Sequence, residues 1–192
     1  MRLNDFKNIL YLLGSVLFIH SFYLILITPS ANEIVSLATE NRTTIPRNIF
    51  VILKDIEQEI CLILFFWAIA LLIDKFNSYK KLTITSLKDF DRASLEKQFE
   101  IDLSIVSYIS WAIPSIGFIG TVRGIGQALS KASDALAGDI SGMTDSLGVA
   151  FNSTFVALFL SIFLVMLMNF IQNYQDEILL TYKNSETKSD EV

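Results

Sequence analysis

Two runs of small and weakly polar residues hold the side chains in this sequence best suited to handle an ion or a water molecule. The first is Ser107, Ser110, Pro114, Gly117, Thr121 and Gly124; the second is Ser146, Ala150, Ser153 with Thr154, Ala157 and Ser161. Steps of three and four place such residues on one face of a helix. The positions between them are mostly Ile, Val, Phe and Trp in the first run, and Phe155, Leu158, Phe159, Ile162 and Phe163 in the second. Serine and threonine hydroxyls can coordinate or hydrogen-bond an ion or water, but they do not titrate near neutral pH. The same stripes have a packing reading. Small residues let helix backbones approach in lipid, and Gly120-x-x-x-Gly124 fits the small-xxx-small pattern. One stripe alone reads as packing; two, on helices joined by a short loop, raise the reading of a shared polar path. The two roles are compatible.

The elements that must carry these stripes are membrane helices. The chain has 192 residues, 52% of them hydrophobic, and a mean hydropathy of +0.50. Its apolar residues are concentrated into runs, and about 18 such residues suffice to cross a bilayer. The expected fold is all-α, a single polytopic membrane domain over 1–192 with about four transmembrane helices and short cytoplasmic helical extensions. The expected spans are 9–27, 55–73, 103–122 and 147–171. Thr28-Pro29-Ser30 is expected to end the first, because proline stops a helix. The second has only a short apolar core, Ile60–Ile73, and reaches full length if its helix begins near Ile49. Lys54, Asp55, Glu57 and Glu59 would then sit at its outer interface. Pro114 is tolerable as a kink within the third span. Arg2 and Lys7 precede the first apolar run as in a signal peptide, but Ile9–Ile27 is too long for one and no clear cleavage site follows. It reads as a retained signal-anchor.

Basic residues near the spans orient them, since cytoplasmic loops retain Lys and Arg. Segment 74–102 holds Lys75, Lys80, Lys81, Lys88, Arg92 and Lys97, and belongs inside; four spans put both termini there too. Arg2, Lys7, Lys183 and Lys188 agree, whereas Arg42, Arg47 and Lys54 in the external segment disagree mildly. Within 74–102, Leu82, Ile84, Leu87, Phe90 and Leu95 alternate with charges as in amphipathic helices extending the spans. The loop 124–146 is external, with a short amphipathic helix near Ile125–Leu136 and the carboxylates Asp134, Asp139 and Asp145 as solvated or capping groups. The cytoplasmic tail 172–192 starts helical, and its polar last eight residues are expected to be disordered.

A net charge of −5 leaves no basic footprint for nucleic acid. Cys61 is alone, so it forms no internal disulfide and packs as a small hydrophobe. His20 reads as an interfacial or hydrogen-bonded histidine, and Trp67 and Trp111 as packing or belt residues. No His/Cys/carboxylate cluster and no nucleophile paired with a base point to catalysis, and no metal or cofactor is expected. The glycines of Gly120–Gly126 end a membrane helix and do not follow a strand, which argues against phosphate binding.

The run Pro114-Ser115-Ile116-Gly117-Phe118-Ile119-Gly120-Thr121-Val122-Arg123-Gly124-Ile125 is similar to the first signature of the TolQ/ExbB/MotA channel subunits. Downstream, Asp139-Ile140 through Leu147-Gly148-Val149-Ala150-Phe151-Asn152-Ser153-Thr154-Phe155-Val156-Ala157-Leu158 resembles the second, a small-residue helix with a pore threonine. The resemblance spans roughly Ile109–Gln172. It implies a homo-oligomer, a pentamer in this family, around a single-span ExbD/TolR/MotB-like partner with an intramembrane aspartate, in a bacterial inner membrane. Proton or sodium flow would move the partner. Thr121 and Thr154 would be the pore hydroxyls, with Gly117, Ser153, Ala157 and Ser161 lining the same path. Two positions depart from the pattern: Val149 stands where many members carry a glutamate, and Arg123 where an apolar or aromatic residue is usual. The residues add one point of their own. Between Ile105 and Val122, and between Leu147 and Ile171, there is no Asp, Glu, Lys or His, so a protonatable group in the path must come from another chain. The other functional class left open is a membrane scaffold whose stripes only pack helices. It predicts no ion flux and tolerance of valine at both threonines.

Overall fold

The computed structural model describes residues 3–41, 45–46, 48–81, 92–138 and 140–190, with side chains described for 6–181 of these except Arg92. Expectations resting on Arg2, Arg42, Arg47, Leu82, Ile84, Leu87, Lys88, Phe90 and Asp139, and on the side chains of Arg92, Lys183 and Lys188, lie outside the described residues. The protein is all-α, and among the described residues four helices are long and apolar enough to cross a membrane: Phe6–Glu40, Ile56–Lys80, Ala93–Ser130 and Ser141–Thr181.

The first begins as α1 (Leu3–Phe22) and does not stop at Pro29. It passes through a π-helical turn, Tyr23–Ile27, and continues as α2 (Thr28–Glu40). Proline lacks an N–H and its ring crowds the carbonyl four residues back. Here the widened turn, closed by the Thr28 N–H on the Tyr23 carbonyl, immediately precedes Pro29 at the start of α2, where its missing donor is no loss.

The second helix does not begin near Ile49. Asn48 accepts a hydrogen bond from the Phe50 N–H at 3.1 Å and starts a single turn, α3 (Ile49–Ile52). The extended backbone of Asp55 then breaks the chain before α4 (Ile56–Lys80), whose extra length lies at the other end.

α5 (Arg92–Ser130) runs unbroken through Pro114, Gly124 and Gly126. It leaves only a short connection through α6 (Ala132–Leu136) to α7 (Ser141–Asp190). The expected loop 124–146 is therefore mostly helix. The expected disorder at the end of the tail is also corrected for Ser185–Asp190, since α7 continues to Asp190, while Glu191 and Val192 lie outside the described residues: no Gly or Pro interrupts the helix after Gly148, and propagating a helix is cheap once it is nucleated.

The core lies between α4, α5 and α7. Ala68, Ile113, Ala157 and Leu164 are fully buried there, with Cys61 donating to the Ile113 carbonyl at 3.6 Å. α1 packs on the outside of α4, exposing Leu13, Leu17 and Phe18. Polar ties fix both ends of this stack. At one end Tyr11 bonds Asp74 (3.0 Å), Lys75 and Tyr79 share Asp102 (2.6 and 3.1 Å), and Gln175 donates to the Tyr79 hydroxyl (2.8 Å). The opposite end holds the site.

Candidate functional site

α5 and α7 meet along the two stripes. A Cβ at Gly117 would stand 2.5 Å from that of Ala157, one at Gly120 2.5 Å from that of Ser153, and one at Gly124 2.7 Å from that of Ala150. No side chain fits at any of the three, so glycine sets how closely the helices approach. Pro114 adds a lock. It cannot donate to the carbonyl of Ser110, and the Ser161 hydroxyl on α7 supplies that bond at 3.2 Å.

Because the backbones are this close, Thr121 and Thr154 hydrogen-bond each other through their hydroxyls. Thr121 Oγ1 also reaches the carbonyls of Gly117 (3.3 Å) and Ala150 (3.1 Å), and Thr154 Oγ1 that of Gly117 (3.3 Å). The pair is partly exposed at the edge of the seam, a hydroxyl site in an otherwise apolar stretch. Gly117, Ser153 and Ala157 are instead buried inside the protomer, where they pack α5 on α7. Ser161 is partly buried and occupied by the Ser110 carbonyl.

Next to this pair is a charged cluster that the sequence did not assemble. Arg123 grips Glu57 with two parallel bonds, Nε to Oε1 and Nη2 to Oε2, both 2.7 Å, and Nη2 also meets Asp55 Oδ1 at 3.2 Å. Glu57 is only 5% exposed. The neighbouring Gln58, also buried, donates to Ser153 Oγ at 3.3 Å, and His20 Nδ1 stands 2.7 Å from Glu59 Oε1. The acidic start of α4 is thus bound to α1, α5 and α7 at once. Gly120 is where this meets the seam, since a Cβ there would also lie 3.2 Å from Glu57 Cγ. The sequence signal for the cluster was present as the unusual Arg123 and the acidic run before a short apolar core, but nothing local joined them.

Lys131 caps the far side of the seam, with Nζ on the Gly142 carbonyl (3.2 Å) and Ser146 Oγ (3.1 Å). Toward the other end α5 and α7 separate around a groove of about 1100 Å³ lined by Glu96, Glu100, Ser104, Asn169, Asn173 and Asp176 among others, remote from the threonines. Among the described residues no three His, Cys, Asp or Glu side chains stand together as a metal site.

A model of the family described as the MotA/TolQ/ExbB proton channel family matches residues 77–184. That range holds all of α5 and α6 and most of α7, including Thr121, Arg123 and Thr154, and leaves out Asp55 and Glu57. No curated protein and no solved structure matches the chain.

Proposed function

The chain belongs to the MotA/TolQ/ExbB proton channel family, and on that premise we propose that it is the channel-forming, stator-like subunit of an ion-driven motor. With four helices of membrane-crossing length it is a multi-pass membrane protein; its place is the bacterial inner membrane. It works as a homo-oligomer, by family resemblance a pentamer, around a single-span ExbD/TolR/MotB-like partner. The partner's intramembrane aspartate carries the proton, and Thr121 and Thr154 present their hydroxyls to it.

The observation that supports this reading most directly is the Thr121–Thr154 pair itself. Two hydroxyls are held together, partly exposed, on helix segments that contain no titratable carboxylate, amine or imidazole. Such a site can relay or solvate a proton but cannot store one, which matches a channel whose acid comes from another chain. No catalytic role is proposed.

Burial of Gly117, Ser153 and Ala157 within the protomer favours a second reading for these three, as packing residues only. Extended to both threonines, it becomes the scaffold hypothesis. One experiment separates the two. The chain is co-expressed with a single-span, aspartate-bearing candidate partner, the oligomeric mass is determined in detergent, and proton flux is followed after reconstitution into liposomes. The motor reading expects a ring that retains the partner, with Thr121→Val and Thr154→Val each lowering flux at least ~10-fold without loss of assembly. A chain that binds no partner and passes no protons, or a flux indifferent to both valines, overturns it.

A further inference from the structure

At the end of the bundle that its basic residues place inside, α5 and α7 part around the groove of about 1100 Å³. The groove continues the face that carries the threonines. Ser107, where the α5 stripe begins, lines it, and on α7 steps of three and four from Thr154 lead through Ser161 to Met168 and Gln175, which line it too. From Thr121 to Glu100 along the unbroken α5, and from Thr154 to Asp176 along α7, is roughly 30 Å at the rise of an α-helix. That is about the thickness of the hydrocarbon core of a bilayer. A single helix lying against the hydroxyl pair near one side of the membrane therefore leaves the membrane at the groove.

The groove is short of donors. Glu100 and Asp176 are exposed in it and make no hydrogen bond or ion pair among the described residues, and Glu96 adds a third carboxylate against the ammonium of Lys97. Gln175 is only 5% exposed; its Nε2 is committed to the Tyr79 hydroxyl at 2.8 Å, and its Oε1 has no partner among the described residues. Acceptors held without donors favour a cationic, donor-rich occupant. The lining runs from Ala93 to Ser107 on α5, about 20 Å of helix, which is the reach of about six extended residues. The occupant of that shape is a stretch of chain, and its chemistry is that of Lys and Arg.

We propose that this groove docks the basic cytoplasmic flank of the single-span partner. Lys and Arg collect on the cytoplasmic side of a membrane span, so the partner brings positive charge to the place where the groove offers negative charge. Docking there ties the partner to α5 and α7 and leaves the hydroxyl pair unoccupied. The inference rests on the motor reading for the partner, and on the groove alone for its preference for basic chain.

A fluorescein-labelled hexalysine peptide, titrated onto the detergent-purified chain and followed by polarisation, reads that preference. Glu100→Gln with Asp176→Asn is expected to weaken binding at least ~5-fold, an effect that fades as salt screens the charges. Glu33→Gln with Asp134→Asn neutralises exposed carboxylates outside the groove and leaves binding unchanged. Lys97→Glu is expected to tighten it. Equal weakening in both double variants, or no response to Lys97→Glu, overturns the inference. Cross-linking reads the partner. Ser104→Cys, co-expressed with an aspartate-bearing single-span candidate that carries a cysteine at the inner flank of its span, is expected to give a disulfide between the two chains. A Ser104→Cys chain that links only to its own copies overturns the inference, because a second protomer then covers the groove. A wild-type chain that retains no candidate and passes no protons, while its hexalysine binding still depends on Glu100 and Asp176, defeats the motor reading and leaves the groove's preference for basic chain standing.

Discussion

The seam between α5 and α7 and the charged clasp at the start of α4 hold the same three-helix unit together by opposite means. In the seam the close approach comes from an absence of bulk: Gly117, Gly120 and Gly124 take up no space, and backbones and hydroxyls come into contact as a result. In the clasp the feature is charge taken out of water, Glu57 at 5% exposure against an arginine on another helix. A seam of small residues fails by overpacking, since a Cβ at any of the three glycines would come closer than 3.0 Å to its neighbour and the helices would have to shift. A buried ion pair fails abruptly, because removing one partner leaves the other charge uncompensated. Gly120 and Ser153, the chain neighbours of Thr121 and Thr154, sit where the two regions meet.

The abrupt failure is the largest effect expected. Arg123→Met strands Glu57 and should destabilise the protein by about 3 kcal/mol, the low end for a buried pair because the Arg123 side chain is 36% exposed, read as loss of folded material in detergent and early thermal aggregation. The double variant Glu57→Gln with Arg123→Met removes both charges of the bidentate pair and should recover part of that loss, the remainder being the cost of Asp55, which Arg123 also holds. Should the single variant be as stable as the wild type, the clasp is not a buried pair and the contrast with the seam collapses. Next in size is Gly120→Ala. Its Cβ would lie 2.5 Å from Ser153 Cβ, 2.6 Å from Ser153 Oγ and 3.2 Å from Glu57 Cγ, an overpacking worth about 1–3 kcal/mol. Since it presses on seam and clasp together, adding Ser153→Gly should relieve it only in part, Glu57 still being in the way; complete relief would place the whole strain in the seam.

The two regions were also unequally legible in the sequence. The stripes could be found because helical spacing is a local signal: Ser107 to Gly124 and Ser146 to Ser161 are each read within one segment, and their type predicts that they meet. Spacing could not say which stripe members face out and which face in. Ser153 and Thr154 are adjacent, yet one is buried against Gln58 and the other partly exposed on Thr121. The clasp joins residues 66 apart in the chain, against 33 for the threonines, and Arg123 by itself reads only as an odd residue at a helix end. Helix number and class were legible because long apolar runs dictate them. Helix ends were not. Pro29 and Gly124 are breakers by local propensity, but a π-helical turn accommodates the first and close packing against Ala150 the second.

Gly126 offers the smallest effect and a sharp test of where the seam ends. It lies two residues beyond Gly124 on the same helix, but a Cβ there meets nothing within 4 Å in the protomer. With no neighbour to crowd, alanine should stabilise α5 by about 0.5–1 kcal/mol, through the backbone freedom that glycine loses on folding. The same substitution at Gly124 would drive a Cβ to 2.7 Å from Ala150, so the two glycines should respond with opposite sign in thermal unfolding of the detergent-solubilised chain. The assembled state sharpens the comparison further. If the wild type forms the proposed ring, a Gly126→Ala chain that is more stable and still forms it has open space at that position in the oligomer as well. One that is more stable and no longer assembles has met a neighbouring protomer there, and the rule of close approach that builds the seam within one chain then also builds the contact between chains.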